Sequence, residues 1–390
     1  RVTAGLNALV EAGAGSDRAF VSTDQSTVWG WGAAAGESGL LGNGGELDAL
    51  AIRDGADLLI GGGGDDRIHG QLGDDFIGAG NGDDTVTGGI GKDILVGGTM
   101  VLSSEAGAAI DISTLALGQP LQAGFTLSVA DAADGDDSLS GGLGDDLMIG
   151  GGGGDTLVGG AGNEVALGDF GRIGLSANLI AQSVRTEFDT STNAGTDNVQ
   201  GEEGNDILIV GGGVAGETET VIDIKGSNIV IGDFGGAGGT RLMEAVTLVE
   251  AFASDRGSDD AITTGRGQDM IIGGEGNDSI NSGAGGDIVI GDLGSIDIGN
   301  SLITGVANAD GGDDTITTLS TDGIMDVVIG GEGNDSVTGG AGGIVFLGDN
   351  GQLTLDPVAL GLLRDYTPPP DNATAEELAE QLLEVTADGG

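Results

Sequence analysis

Aspartate side chains recur every nine residues over the stretch 61–96. Four consecutive nonapeptides, GGGGDDRIH, GQLGDDFIG, AGNGDDTVT and GGIGKDILV, carry Asp66, Asp75, Asp84 and Asp93 at their sixth position. A carboxylate inside a glycine-rich turn is a hard oxygen ligand, and Ca²⁺ accepts about six to eight such oxygens, main-chain carbonyls included, in loose geometry. The spacing therefore predicts a series of cation sites.

Each nonapeptide can be interpreted as a turn followed by a short strand. The glycines permit the positive φ angles of a tight turn, and the last three residues are short and β-prone, with an apolar residue in the middle. A single nonapeptide cannot bury that apolar residue, so the unit is stable only when it stacks on its neighbours. The pattern predicts a thin solenoid, which also suits an aromatic content of only 3%.

The sequence resembles the RTX ("repeats in toxin") family of secreted calcium-binding proteins. The resemblance rests on the pattern Gly-Gly-x-Gly-x-Asp-x-apolar-x, repeated in unbroken register. It implies an all-β fold, a parallel β-roll in which two nonapeptides form one coil and calcium lies between stacked turns, held by aspartates and glycine-side carbonyls. It also implies export through a type I secretion channel as an unfolded chain that folds on meeting external calcium.

Further nonapeptides divide the chain into blocks. We predict an N-terminal segment that could serve as a cap at 1–42, repeat blocks at 43–98 and 132–171, a β insert at 99–131, three units of insert plus repeat block at 172–235, 236–294 and 295–351, and a proline-rich linker with a short helix at 352–390. The candidate calcium ligands are Asp48, Asp57, Asp66, Asp75, Asp84, Asp93, Asp137, Asp146, Asp155, Asp197, Asp206, Asp260, Asp269, Asp278, Asp287, Asp314, Asp326 and Asp335.

Aspartate is also a common turn residue, so ligation has to be weighed against a structural role. In the runs 61–96 and 264–290 aspartate fills every sixth place, although asparagine or serine would serve a turn equally well. We therefore favour ion binding there. The same position holds Glu164, Asn228 and Ile344 in other repeats, and calcium is not expected at Ile344.

The motif Gly-Asp-x-Gly ends four of the blocks. Its aspartates are Asp169, Asp233, Asp292 and Asp349. Each motif is followed by alternating aliphatic residues, which predict strands or a hairpin packed beside the roll. For these aspartates a structural turn and an ion ligand remain equally open.

The two ends of the chain differ from the repeats. Trp29 and Trp31 lie two residues apart, hence on one face of a possible strand. They could cap the solenoid or stack on a ligand. Near the other end, Pro368–Pro370 predict a stiff linker, and the segment AEELAEQLLEV predicts a short helix that caps the roll or joins it to a further domain.

The composition has a large excess of acidic side chains. The 390 residues include 63 Asp and Glu against 12 Lys and Arg, a formal charge of −51, with 84 Gly and no Cys. A compact chain of this charge repels itself unless cations bind. The acidity argues against nucleic acid and anionic membrane surfaces as partners, and no apolar run approaches the roughly 18 residues of a membrane span.

Catalysis finds little support, and we expect no enzyme activity. His69 is the only histidine, so a histidine-based triad or zinc helix cannot be assembled. We expect a calcium-binding structural region of a large secreted or cell-surface protein, such as an adhesin, surface layer or extracellular filament. The alternative is the secretion and folding module of a secreted toxin or hydrolase whose catalytic domain lies outside this chain. Self-association through the solenoid ends or the inserts is a further expectation.

Overall fold

The computed structural model describes most of the chain between residues 58 and 355. The gaps are residue 64 and the ranges 105–106, 111–124, 130–133, 188–194, 214–216, 243–244, 255–256, 308–310 and 321–323; strands are also described between Val2 and Leu50 and at Thr386–Asp388. Every regular element in this part of the chain is a β-strand. The chain divides into two compact units, Arg1–Gln200 and Gly201–Gly390.

The strands of the first unit are short and closely spaced. In chain order they are β1 Val2–Ala4, β2 Leu9–Ala12, β3 Arg18–Val21, β4 Thr27–Trp31, β5 Ser38–Leu40, β6 Glu46–Leu50, β7 Leu58–Gly63, β8 Arg67–Leu72, β9 Phe76–Asn81, β10 Thr85–Ile90, β11 Ile94–Val96, β12 Met100–Ser104, β13 Ala109–Ile110, β14 Phe125–Val129, β15 Ser138–Leu143, β16 Leu147–Gly151, β17 Thr156–Ala161, β18 Val165–Asp169, β19 Gly171–Leu175, β20 Ala181–Thr186 and β21 Asn198–Glu203, the last containing the division between the units.

These strands form two parallel sheets and one antiparallel sheet. Sheet A has the order β1-β3-β5-β7-β9-β11-β16-β18, and sheet B has the order β2-β4-β6-β8-β10-β15-β17. Successive repeats alternate between the two sheets, so two nonapeptides make one coil. Sheet C, in the order β13-β12-β14-β19-β20, consists of inserted antiparallel strands. The predicted all-β parallel roll with inserted strands is confirmed.

The second unit repeats this arrangement. Its strands are β22 Ile207–Ile209, β23 Thr218–Lys225, β24 Ile229–Ile231, β25 Gly235–Arg241, β26 Ala245–Ala251, β27 Asp259–Arg266, β28 Met270–Ile272, β29 Ser279–Gly283, β30 Ile288–Ile290, β31 Gly294–Asp297, β32 Leu302–Gly305, β33 Thr315–Thr318, β34 Asp326–Ile329, β35 Ser336–Thr338, β36 Ile344–Leu347, β37 Gln352–Thr354 and β38 Thr386–Asp388. Sheet A here is β22-β24-β28-β30-β34-β36, sheet B contains β23-β27-β29-β33-β35, and sheet C is β25-β26-β31-β32-β37-β38.

The core is built from one apolar column per parallel sheet. Ile68, Val86, Leu139 and Leu157 are register partners on successive strands of sheet B and are at most 1% exposed. The sheet B strand Thr85–Ile90 alternates buried with partly exposed side chains, whereas sheet A strands such as Ile94–Val96, Met270–Ile272 and Ile288–Ile290 are buried throughout. Sheet C explains the difference, because it covers the outer face of sheet A: a Cβ on Gly78 would lie 2.9 Å from the Cβ of Met100.

The inserted segments do not change the strand register between the coils before and after them. Ile94 in β11 pairs with Phe76, its partner in the preceding coil, and with Leu147, which follows the insert. The inserted strands leave after a strand of sheet A and return before a strand of sheet B. The blocks separated in the sequence therefore stack as if they were continuous.

The two ends of the chain are described only in part. Residues 1–42 contribute β1 to β5, which pair in parallel within sheets A and B. Trp29 and Trp31 both lie in β4. The linker and the helix expected after Tyr366 lie outside the described residues. Among the residues that are described, no helix has the length and apolarity that crossing a membrane would require.

The tight stacking of turns makes particular glycines indispensable. Gly144 has a φ of +132°, and a Cβ on Gly144 would overlap the carbonyl oxygen of Gly91 in the adjacent coil. We expect Gly144→Ala to lower the free energy of unfolding in calcium by about 3 kcal/mol or more, because both strain and overlap oppose the side chain.

The matched control for this substitution is Gly238→Ala. A Cβ on Gly238 would meet nothing within 4 Å, so this variant should stay within about 1 kcal/mol of the parent. Chemical denaturation followed by circular dichroism measures both. Equal stability of the two variants would contradict the close stacking of the turns.

Candidate calcium-binding sites

The sixth-position residues form two rows, one preceding each parallel sheet. Row 1 precedes sheet B and row 2 precedes sheet A. In the first unit row 1 contains Asp66, Asp84, Asp137, Asp155 and Asp197, and row 2 contains Asp75, Asp93, Asp146 and Glu164. In the second unit row 1 contains Glu219, Asp260, Asp278, Asp314 and Asp335, and row 2 contains Asp206, Asn228, Asp269, Asp287, Asp326 and Ile344.

Two of the sequence candidates are not placed in these rows. The register of β6 on β8 sets Asp48 opposite His69, three residues beyond the row 1 position of Asp66. Asp57 lies outside the described residues. The other sixteen candidates occupy the two rows as the nonapeptide spacing requires.

One carboxylate oxygen of each aspartate ties its coil to the neighbouring coil. The main-chain N–H of Asp75 donates to Oδ1 of Asp93 at 2.9 Å, and the N–H of Asp93 donates to Oδ1 of Asp146 at 2.8 Å. The same bond recurs along row 1, where the N–H of Asp137 donates to Oδ1 of Asp155 at 2.8 Å. An asparagine could make this bond equally well, so Oδ1 alone does not explain the aspartates.

The other oxygen, Oδ2, is buried without a hydrogen-bond partner in many of the repeats. This holds for Asp84, Asp93, Asp137, Asp146, Asp155, Asp197, Asp260, Asp278 and Asp314. Leaving a buried polar oxygen without a donor carries a free-energy penalty, and a buried charge carries a larger one. An asparagine would place its amide nitrogen, a hydrogen-bond donor, where these repeats place Oδ2. It could therefore not serve as a cation ligand at this atom.

Most of these oxygens lie in a small space that we call the oxygen niche. Its parts are Oδ2, the Cα of a glycine, and the carbonyl oxygen of a glycine in the next coil. The first glycine opens the same nonapeptide for Asp93, Asp146, Asp155 and Asp278, and it lies before an insert for Asp137, Asp260 and Asp314. A Cβ on Gly88 would collide with Asp93 Oδ2 and would lie 2.8 Å from the carbonyl oxygen of Gly141. Glycine is needed there because any side chain would fill the niche.

The niches fit a hard cation that is held largely by the backbone. Within the described ranges, no group of three or more His, Cys, Asp and Glu side chains is arranged to hold a metal ion. The available donors are instead a carboxylate oxygen and glycine carbonyl oxygens, with no nitrogen or sulfur. Such a donor set suits Ca²⁺, while Zn²⁺ is disfavoured. Calcium would be held by the row 1 and row 2 aspartates that face such niches.

Burial raises the pKa of these carboxyl groups well above the usual range. Burial, followed by the charge of Asp155, raises the pKa of Asp137 to about 10. Burial is also the first cause for Asp84, Asp146 and Asp314, whose pKa values rise to about 8, although hydrogen bonds from main-chain N–H groups oppose the rise. Without a cation, these groups favour the protonated form.

A second, exposed ladder runs beside the rows and was not recognised from the sequence. It consists of fifth-position residues: the N–H of Asp136 donates to Asp83 Oδ1 at 3.1 Å, and the N–H of Asn277 donates to Asp259 Oδ1 at 2.8 Å. Asparagine and aspartate both occur in this ladder, as expected when only Oδ1 is used. The recurring dipeptides Asp-Asp and Asn-Asp were the available signal.

The Gly-Asp-x-Gly aspartates are buried turn anchors where their bonds are described. Asp233 accepts a hydrogen bond from the N–H of Ser258 at 3.1 Å and another from the N–H of Glu275. Asp292 likewise accepts bonds from the N–H groups of Gly312 and Glu332. Both carboxylate oxygens are thus occupied by main-chain donors, which favours the structural reading for these two residues.

Two nonapeptides in row 2 of the second unit carry a hydroxyl side chain at their first position. Ser282 replaces the glycine there, and its hydroxyl donates to Oδ2 of Asp287 at 2.6 Å. Thr264 also replaces this glycine, and its hydroxyl donates to the carbonyl oxygen of Ser282 at 2.9 Å. The side chain of Ser282 supplies the donor that the niches lined by glycine lack.

The fold and these niches define a solenoid of repeated, oxygen-lined turns. The family model of the RTX calcium-binding nonapeptide repeat matches residues 53–86, 79–99, 131–164, 191–214, 256–295 and 320–343. The chain therefore carries RTX calcium-binding nonapeptide repeats, and the resemblance noted from the sequence is confirmed. A search of curated proteins found no match.

Proposed function

We propose that this chain is a structural region of a large secreted or cell-surface protein that folds when it binds extracellular calcium. The observation that carries the proposal is the series of buried Oδ2 atoms in glycine-lined niches, such as those of Asp93, Asp137 and Asp146. A divalent cation among these oxygens supplies the positive charge that the fold requires. RTX repeats are typical of secreted proteins, which supports the extracellular assignment.

The charge distribution supports folding that is conditional on a cation. Stacked strands lie about 4.8 Å apart, so neighbouring carboxylates in one row repel each other strongly. The ion pairs found among the described residues, Lys92–Asp145, Arg172–Glu187 and Lys225–Glu203, involve partly exposed side chains rather than the rows. Extracellular calcium modules bind at about 10⁻⁴–10⁻³ M, so such sites would fill outside a cell and empty in a cytosol.

A structural rather than catalytic role is supported by the long internal period. Gly-Asp-x-Gly motifs begin at Gly168, Gly232, Gly291 and Gly348, and the inserts that follow them build sheet C onto the roll. Such regular decoration suits an adhesin, a surface layer or an extracellular filament. The second candidate is a folding module of a secreted toxin or hydrolase with its catalytic domain elsewhere. Further repeats in the full-length sequence would favour the first, and a lipase or protease motif would favour the second.

A calcium titration of the metal-free chain tests the proposal. We expect strand content, followed by circular dichroism, to rise steeply between about 10⁻⁴ and 10⁻³ M calcium, because binding energy becomes folding energy. Magnesium at equal concentration should be less effective, since it requires a strict octahedron and retains its water. Light scattering on the same samples tests self-association. Full strand content in chelator at neutral pH would contradict the proposal.

A further inference from the structure

The nonapeptide 223–231, DIKGSNIVI, has its carboxylate at an unusual position. Asn228 stands at the sixth place, and Asp223 stands at the first place, where the nonapeptides of Asp93 and Asp146 have glycine. Asn228 Oδ1 accepts the N–H of Asp206 at 3.0 Å, as an aspartate would, while its Nδ2 donates to the carbonyl oxygen of Lys225 at 3.2 Å. Asn228 therefore keeps the bond between coils but presents a donor where other repeats present Oδ2.

Asp223 brings a carboxylate into the niche of the preceding row 2 residue. Its side chain is fully buried, and neither oxygen has a hydrogen bond of ordinary geometry. A Cβ on Gly201 would collide with Oδ2 of both Asp206 and Asp223. The two carboxylates thus meet over Gly201, where the niches of other coils combine one carboxylate oxygen with one neutral carbonyl oxygen.

The surroundings of this pair are acidic. Burial and then the charge of Asp206 raise the pKa of Asp223, the charge of Asp269 adds to the rise, and the main-chain N–H of Lys225 opposes it. The ammonium group of Lys225 pairs with Glu203 at the surface, where the Lys225 side chain is 55% exposed. In the next strand the register partner of Asp223 is Thr264, which is neutral. A buried carboxylate pair of this kind requires either a shared proton or a cation.

We propose that Asp223 and Asp206 together hold a calcium ion, Asp223 replacing at the first position the carboxylate that Asn228 lacks at the sixth. The inference rests on the proposed function, since it assigns this niche to the same ion. Two carboxylates make the site more anionic than niches with one, and affinity for Ca²⁺ rises with the number of charged ligands. The site is therefore filled at a lower calcium concentration than the other niches.

Counting bound calcium in three variants tests this assignment. Asp223→Asn should lose one calcium ion per chain relative to the parent, from the tightest class, measured by equilibrium dialysis and isothermal titration calorimetry. The matched control is Asp259→Asn, in the exposed ladder, which should bind as many ions as the parent because Oδ1 suffices there. Strand content in calcium is recorded for every variant.

The double substitution Asp223→Gly with Asn228→Asp decides the case even where Asp223→Asn fails to fold. It restores the usual glycine and the usual aspartate, so Asp206 and the new aspartate each face a niche with one carboxylate, and the tightest class of calcium binding should disappear from the calorimetric titration. Retention of the tightest class in the double variant would show that Asp223 is no ligand, and an unchanged count in a folded Asp223→Asn would overturn the assignment equally. The proposed function fails separately, if the parent itself binds no calcium.

Discussion

Acidifying the calcium-free chain from about pH 7.5 to about pH 5.5 is expected to restore much of the strand content that calcium removal abolishes. The pKa values of the row carboxyls are raised in the folded state, to about 10 for Asp137 and about 8 for Asp84, Asp146 and Asp314. In the unfolded chain the same groups titrate near the ordinary aspartate value of about 3.8.

The sign follows from where the protons bind. Between the unfolded and folded pKa values the folded state holds more protons, so its stability rises as the pH falls. Each such group adds about 1.4 kcal/mol per pH unit while it is protonated only in the folded state. The stabilisation is complete below the unfolded pKa and is lost as the pH rises through about 8 to 10. Protons thus neutralise the rows in place of calcium.

Circular dichroism of the chain in chelator, across this pH range, measures the effect. The final pH stays above the sequence pI of about 4.1, which limits precipitation. In saturating calcium the dependence should reverse, because protons compete with the ion for the carboxylates. A calcium-free chain whose strand content is the same at both pH values would contradict the burial of charged carboxyls in the two rows.

The substitution Asp137→Asn is expected to change stability in opposite directions with and without calcium. Oδ1 of Asp137 accepts the N–H of Asp84, and asparagine can keep that bond. The niche of Asp137 Oδ2 contains the carbonyl oxygen of Gly150, to which an asparagine amide can donate. In chelator near pH 7 the variant should gain up to about 4 kcal/mol, because no buried carboxyl has to be protonated.

In saturating calcium the same variant should lose about 2–3 kcal/mol, because one ligand of the ion becomes a donor. Asp287→Asn is the matched comparison. The hydroxyl of Ser282 already donates to Oδ2 of Asp287, so we expect a smaller loss in calcium there. Denaturation curves at both calcium levels provide all four values. A loss of stability for Asp137→Asn in chelator would contradict the account.

The repeat spacing was sufficient to predict a stacked solenoid and most of the aspartates that lie in the rows, while the parallel roll was implied by the family resemblance. Period nine with one apolar residue per unit requires stacking, and stacking puts Asp75, Asp93 and Asp146 in one line even across an insert of unknown shape. The aliphatic triplets of sheet A, such as Ile94–Val96, also carried a signal that went unused: a strand without alternation is buried on both faces.

Other features depend on contacts between coils that spacing does not specify. Asp48 pairs with His69 rather than with the row residue Asp66. This register is set where strand β6, which belongs to a degenerate repeat, pairs with strand β8. The roles of Asp233 and Ser282 depend on which N–H or hydroxyl group reaches which oxygen. The role of Asp223 also depends on such a contact. Only the structure shows its carboxylate beside that of Asp206 over Gly201.

Crystals grown in calcium, with diffraction collected at a wavelength where calcium scatters anomalously, test the central claim most directly. We predict anomalous peaks in the niches between Asp93 Oδ2 and the Gly141 carbonyl and between the carboxylates of Asp206 and Asp223, and none beside Ile344. Niches that contain only water, or carboxylates that keep Oδ2 without any cation, would contradict the claim that calcium holds the turns together.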